Sequence, residues 1–347
     1  MTGLEITRAI IVIFVQLKQS YMKKLMILFS AAFLALMPQS VSAQKKAKID
    51  QRAGYLDVPY FQNVHRDEKA PDGHAYIQII QDTGFWDMED LTAKQILSGN
   101  VPSALKKFRK ITYTVTIRHK YQSITLEGFP DGPVKSETHK YKVEMWVLPD
   151  YLAVGNDEDF VRMPMGPLAA QRVADSLYCS LPTTFLSDRI DEASEGRIEI
   201  FPFRPVGDRN MKPLCFEDSN NAINALMRSK GLEFGQFVSG LKKDVVLTTR
   251  LENEPGFDRH VAIYGWFHPD GHPQQPLFIR HGNFYSDYSH GIRLIYRTIK
   301  INGKEHDLRA VLEDPVLFRL VSKEDVPFKR ASYDWQEPWI FKGGEDR

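Results

Sequence analysis

Ile111-Thr112-Tyr113-Thr114-Val115-Thr116-Ile117-Arg118 is the stretch that decides the fold class. Apolar side chains take every odd position and polar ones every even position. A period of two means a half-buried strand. Tyr141, Val143, Met145 and Val147 alternate in the same way with Lys142, Glu144 and Trp146. Phe129-Pro130-Asp131-Gly132-Pro133 lies between them and supplies turn chemistry. The two runs therefore predict an antiparallel pair inside a larger sheet.

Downstream of this pair the spacing becomes helical. From Pro167 to Leu177, Ala169, Val173 and Leu177 recur every four residues, and Pro167 suits a first helical turn. A second helix is expected from Pro182 to Ala193, burying Phe185, Leu186 and Ile190. A third is expected from Asn220 to Lys230, with Ser219 as its cap and Gly231 as its stop. Strands return at 244–249, 260–266 and 291–300. Two short helices follow, Glu305–Glu313 and Val316–Val321, the latter capped by Asp314 with Pro315 at its start. Residues 328–347 are aromatic and charged and are expected to cover the core. Upstream, 90–97 reads as a short helix and 44–72 as a polar start with little regular structure. The sum is an α+β fold: antiparallel strands, a central helical segment, further strands, then C-terminal helices. One domain is expected over residues 44–347, with a β-rich N-terminal part to about residue 150.

Forty-five basic and 44 acidic side chains nearly cancel among the 347 residues. That removes the footprint of a general nucleic-acid binder. Met22-Lys23-Lys24, an apolar run from Leu25 to Met37 and Val41-Ser42-Ala43 have the order of a secretory signal peptide with its cleavage site. Met22 is then the natural start, and residues 1–21 precede it as a mis-assigned leader. Cleavage after Ala43 removes four cations and one anion, which takes the net charge from +1 to −2. The expectation is a periplasmic or secreted protein of the bacterial envelope, with no membrane attachment after cleavage.

Cys179 and Cys215 are the only cysteines. In an exported chain they read as one disulfide, as two buried thiols, or as one reactive thiol and a bystander. Cys179 falls just before the second central helix, where free N–H groups and the positive dipole end favour a thiolate and an oxyanion. Five of the ten histidines lie between His260 and His290. The segment from Arg280 to Arg293 holds His281, Ser286, Asp287, Ser289 and His290. A nucleophilic thiol needs an imidazole base and a group to orient it. Arg293 is a candidate for a substrate carboxylate. His268-Pro269-Asp270-Gly271-His272 is a turn rather than a helical metal motif. Asn156-Asp157-Glu158-Asp159 reads as a solvated turn, and Lys242-Lys243 as the solvated opening of a strand.

Several blocks resemble those of an uncharacterised family of secreted bacterial proteins: Pro149–Phe160, Ala170–Asp175, Cys179–Thr183, Lys242–Val246, Val261–Trp266 and Asp287–Leu294. The resemblance spans residues 95–325. It implies that Cys179, His281, Asp287 and His290 are motif positions, and it implies no activity. More distantly, Cys179-Ser180, Lys243–Val246 and His260–Tyr264 are similar to papain-like cell-wall cysteine peptidases. That likeness implies His260 as base and His281 as its orienter, where the first implies His290 with Asp287 or His281.

The resulting expectation is an exported cysteine-dependent hydrolase of amide or peptide bonds, acting on cell-wall or extracellular peptide or glycan material. Cys179 attacks, His290 moves the proton, and His281 or Asp287 orients it. No cofactor is expected. The first alternative is a carbohydrate- or peptide-binding module, with Trp266, Phe267, Phe284, Tyr285 and Tyr288 lining a groove. The second is a metal hydrolase built on the His cluster.

Overall fold

The computed structural model describes residues 40–50, 54–122, 134–203 and 207–336. Residues 1–39, most of the expected signal peptide, the expected turn at 129–133 and residues 337–347 lie outside the described residues. Contacts divide the chain into two units, 1–42 with 116–140, and 43–115 with 141–347. In the first unit the described residues are strand segments. The second carries everything discussed below.

In chain order the elements begin with β1 (Ser40–Ile49), β2 (Tyr55–Asp57), α1 (Gly73–Ile80) and α2 (Phe85–Leu97). Next come β3 (Lys107–Gln122), β4 (Val134–Val147), β5 (Ala153–Gly155), β6 (Phe160–Arg162), α3 (Pro167–Ser176), β7 (Cys179–Ser180) and α4 (Thr184–Glu192). Then follow β8 (Gly196–Arg197), α5 (Pro213–Ser229), β9 (Val238–Ser239), β10 (Lys243–Val245), α6 (Arg250–Asn253), β11 (His260–Phe267) and β12 (Pro273–Gly282). The chain closes with β13 (His290–Gly291), β14 (Ile295–Tyr296), β15 (Thr298–Ile301), β16 (Lys304–Asp307) and α7 (Leu308–Glu313). The fold is α+β. The larger sheet runs β1-β3-β4-β14-β7, with β2, β15 and β16 attached. A four-stranded sheet runs β12-β11-β10-β13.

The alternation that predicted β3 and β4 holds where it is buried: Ile111, Tyr113 and Val115 on one strand, Val143, Met145 and Val147 on the other. The helical spacing of α3 also holds, with Leu168, Ala169, Ala170, Val173 and Ala174 inward and Pro167 in the first turn. In α4, Thr183 caps the helix by accepting from Leu186 N–H at 3.2 Å, and its hydroxyl donates to Val321 O at 2.6 Å.

Four expectations require correction. Residues 44–72 are not without regular structure, since β1 and β2 lie there and Asp50 N–H and Val58 N–H donate to β3 or its approach. The third helix begins at Pro213, not Asn220, and Ser219 is buried inside it. Residues 304–307 are a strand, so the helix expected from Glu305 starts at Leu308. β12 went unread because Pro273 and Pro276 mark it as a non-strand; it is an edge strand, where a missing N–H costs no ladder bond.

The strand expected over 291–300 is broken for a reason that matters to the site. β13 pairs in parallel with β10 in the smaller sheet, while β14 pairs with β4 and β7 in the larger one. The chain changes sheets between residues 291 and 295, so Ile292, Arg293 and Leu294 are all buried. Gly291 is required at the crossing, because a Cβ there would lie 2.4 Å from the Tyr151 ring.

Candidate functional site

The turn from Asn283 to Ser289 joins β12 to β13, the two edges of the smaller sheet. Short polar residues let it close on itself. The Asp287 carboxylate accepts from Ser289 N–H at 2.8 Å, Ser289 hydroxyl at 2.5 Å and Tyr285 hydroxyl at 2.9 Å. The Asp287 carbonyl accepts from His290 N–H at 2.9 Å. Asn210 holds the turn from outside: its side-chain amide donates to Tyr285 Oη, and its carbonyl accepts from Tyr288 N–H, both at 2.9 Å.

Closing the turn brings the two edge-strand histidines together. The His281 and His290 ring centres are 6.5 Å apart, and Tyr285 stacks on His281 at 3.9 Å. His290 Nε2 lies 4.0 Å from Asp287 Oδ1, an ionic contact longer than a hydrogen bond. His290 is fully enclosed, and neither ring nitrogen has a hydrogen-bond partner among the described residues. His281 and Tyr285 are half-buried, and their rings lie 6.5 and 5.7 Å from the His290 ring.

Charge is unevenly spread here. Burial drives the His290 and His281 imidazoles toward their neutral forms, although Asp287 pulls both the other way. Burial would also raise the Asp287 carboxyl. The facing His290, the Ser289 donors and Lys243 outweigh that and hold it below its usual range. Lys242 is the unexpected member. It is buried rather than solvated, and its ammonium donates to Tyr288 O. Burial, reinforced by Arg162, brings its pKa down to about 7, against the pull of Asp287 and Asp150. No pattern in the sequence separates Lys242 from an ordinary flanking lysine. Its burial comes from the turn folding over it.

Cys179 does not meet the expectation placed on it. It lies in β7, is fully buried, and its thiol donates to Leu177 O at 3.4 Å. Burial pushes its pKa far up, so the thiolate is disfavoured despite Arg309 and Arg297. The helix start after it belongs to Thr183. Both cysteines are free thiols, so the disulfide reading is not met either. Cys215 sits in the first turn of α5 and feels both Asp287 and Lys242. Burial and the carboxylates of Asp218 and Asp287 raise its pKa to about 11. Iodoacetamide on the folded protein is therefore expected to label Cys215 slowly and Cys179 only after unfolding; rapid native labelling of Cys179 would contradict this burial.

The other candidates divide as follows. His260 lies at the start of β11, opposite Gly282, with Nδ1 buried and without a hydrogen-bond partner among the described residues. Arg293 is buried, donates to Val238 O at 3.2 Å and packs over Tyr151 and Phe237, so it does not face a substrate. Trp266, Phe267 and Tyr288 are buried, which leaves Phe284 and Tyr285 of the expected aromatic groove. Among the described residues no three His, Cys, Asp or Glu side chains converge as a metal ligand set. His268 instead bonds Gln274 across its turn. Asp157 and Asp159 accept from the N–H groups of Ser103 and His74 and so tie down a turn.

What the arrangement offers is acid–base chemistry without an activated thiol. A half-buried imidazole, a phenol held by a carboxylate and a second enclosed imidazole sit at one turn, and the Lys242 ammonium reaches it from the start of β10. Comparison with protein-family models, curated proteins and solved structures finds no match for this chain.

Proposed function

We propose that the protein is an exported hydrolase of amide or peptide bonds that works by acid–base activation of water at the 281–290 turn. Export rests on the basic, apolar and small-residue succession of residues 22–43. The observation that carries the catalytic reading is the meeting of His281 and His290 over Asp287 and Tyr285. In this reading His281, neutral and half-buried, takes a proton from the attacking water and returns it to the amide nitrogen as the C–N bond breaks and the amine leaves. Tyr285, whose phenol burial and Asp287 keep protonated, donates a hydrogen bond to the developing oxyanion once substrate replaces Asp287 as its acceptor. Asp287 holds the balancing negative charge behind them. Cys179 takes no part.

His281→Gln and Asp287→Asn are each expected to lower the hydrolysis rate of a peptide-amide or cell-wall muropeptide panel by at least about 10²-fold. Cys179→Ala and Cys215→Ala should stay within about threefold of the parent rate, a change of under 1 kcal/mol. Circular dichroism checks that each variant folds. Because burial lowers the His281 pKa, the acidic limb of the pH–rate profile should fall below pH 6.5. Full activity in His281→Gln, or its loss in Cys215→Ala, would overturn this mechanism.

A further inference from the structure

Three buried polar groups outside the 281–290 turn converge on one narrow cavity. Ser187 in α4, Asp244 in β10 and Arg293 in the crossing between the sheets all line it, and none is more than 3% exposed. Among the described residues, Ser187 Oγ, Asp244 Oδ1 and Arg293 Nε have no hydrogen-bond partner. Burial raises the Asp244 carboxyl, and Arg293 and Ser187 both pull it back, so the three groups face one another. Their neighbours are committed elsewhere. The Tyr151 hydroxyl donates to Lys242 O at 3.1 Å, Arg293 Nη2 donates to Val238 O at 3.2 Å, and Asp191 accepts from Arg197 and from the Ser239 hydroxyl. Buried donors and acceptors left open are costly, which favours an occupant that serves all three. The cavity measures about 10 Å³, close to the least that holds one water. Its chemistry selects the same occupant. Arg293 Nε–H only donates and carries positive charge, which disfavours a metal cation, while the Asp244 carboxylate disfavours an anion. A neutral molecule of one heavy atom that both donates and accepts is water.

We propose that this cavity is a binding site for one long-lived water, which bridges Ser187, Asp244 and Arg293. The water accepts from Arg293 Nε–H and the Ser187 hydroxyl and donates to Asp244 Oδ1. It joins α4 to β10 and to the crossing that begins at His290, three residues before Arg293. The site stands whether or not the 281–290 turn hydrolyses amides.

The test uses the full chain and counts long-lived internal waters by oxygen-17 magnetic relaxation dispersion. Ser187→Val, whose added methyl fills the cavity, should hold one such water fewer than the parent. Ser187→Ala should keep the parent's count, because Asp244 and Arg293 still hold the molecule. Thermal melts should follow the water: Ser187→Val should lower the Tm by about 5 °C or more, and Ser187→Ala by less than half as much. A crystal structure of the parent that shows ordered waters gives a second reading, independent of whether Ser187→Val folds. It should place a single peak about 2.6–3.2 Å from Ser187 Oγ, Asp244 Oδ1 and Arg293 Nε. An equal water count in Ser187→Val and parent overturns the proposal. So does a map in which Ser187 bonds Asp244 directly and closes the cavity. A peak ringed only by oxygens at about 2.4 Å would mark a metal cation and overturn it as well.

Discussion

Asp150→Ala is expected to destabilise the protein by about 3–5 kcal/mol, because it leaves a guanidinium buried without its anion. Asp150 and Arg162 are both wholly enclosed. Two parallel bonds of 2.8 Å join them, Nε to Oδ1 and Nη2 to Oδ2. The remaining donor, Nη1, reaches Asn220 Oδ1 at 3.0 Å and Asn224 Oδ1 at 2.7 Å, and Phe160 and Phe234 pack against the guanidinium. Asn220 also donates to Phe160 O, so the network pins β6 to α5. Arg162→Leu should cost a similar amount. The double variant Asp150→Leu/Arg162→Leu should cost clearly less than the sum of the singles, because it removes both charges together. Urea unfolding of the four proteins gives the cycle. Single variants losing less than about 1 kcal/mol would show that water or another anion reaches Arg162 in its absence. The effect should extend to the turn, because Arg162 and Asp150 both act on the charge of Lys242.

Glu89→Gln is expected to do the opposite and stabilise the protein at alkaline pH. Glu89 is buried in α2. One carboxyl oxygen accepts from Gly166 N–H at 2.8 Å, and the other lies 3.3 Å from the Ser286 hydroxyl in the 283–289 turn. Burial raises its pKa from 4.5 to about 8, against the two hydrogen bonds. The folded protein therefore keeps a proton that the unfolded chain releases. The stability this gives is full below about pH 4.5 and is lost as pH rises to about 8. At pH 8.5 the whole cost is present, at most about 5 kcal/mol. Glutamine keeps an acceptor for Gly166 and gains a donor for Ser286, with no charge to bury. Thermal melts should show the parent losing roughly 10 °C relative to the variant between pH 5 and pH 8.5. Parallel melting curves at both pH values would mean that Glu89 ionises without cost. Lys242 has the reverse slope, stability rising from about pH 7 toward 10.5, so the comparison is made between variant and parent rather than on the parent alone.

Two of the four strands of the smaller sheet, β10 and β11, and the polar turn beside them were legible in the residues themselves. His281, Asp287 and His290 lie within ten positions of one another, and the Ser, Asn and Gly between them favour a closed turn. Their proximity follows largely from that local chemistry. Cys179 was misread for an equally definite reason. Tyr178 has φ 54°, a left-handed turn that follows α3 and sends Cys179 into β7, a strand of the larger sheet. Its neighbour Tyr296, opposite it in β14, is 117 positions away, beyond any window of periodicity. The partner of Glu89 is likewise remote: Ser286 follows it by 197 residues.

The residue pattern alone determined the strands with period two, the helices with period four, the α+β class and the gathering of acid–base residues at 281–290. Each follows from which way neighbouring side chains point along one stretch of backbone. Tertiary structure alone decided which of the chemically able groups are wrapped in protein. It closed Cys179 off, drew Lys242 inside, buried Arg162 against Asp150 and left His281 half-buried. Solvation and field at a side chain are sums over everything packed around it, and most of that material arrives from distant parts of the chain.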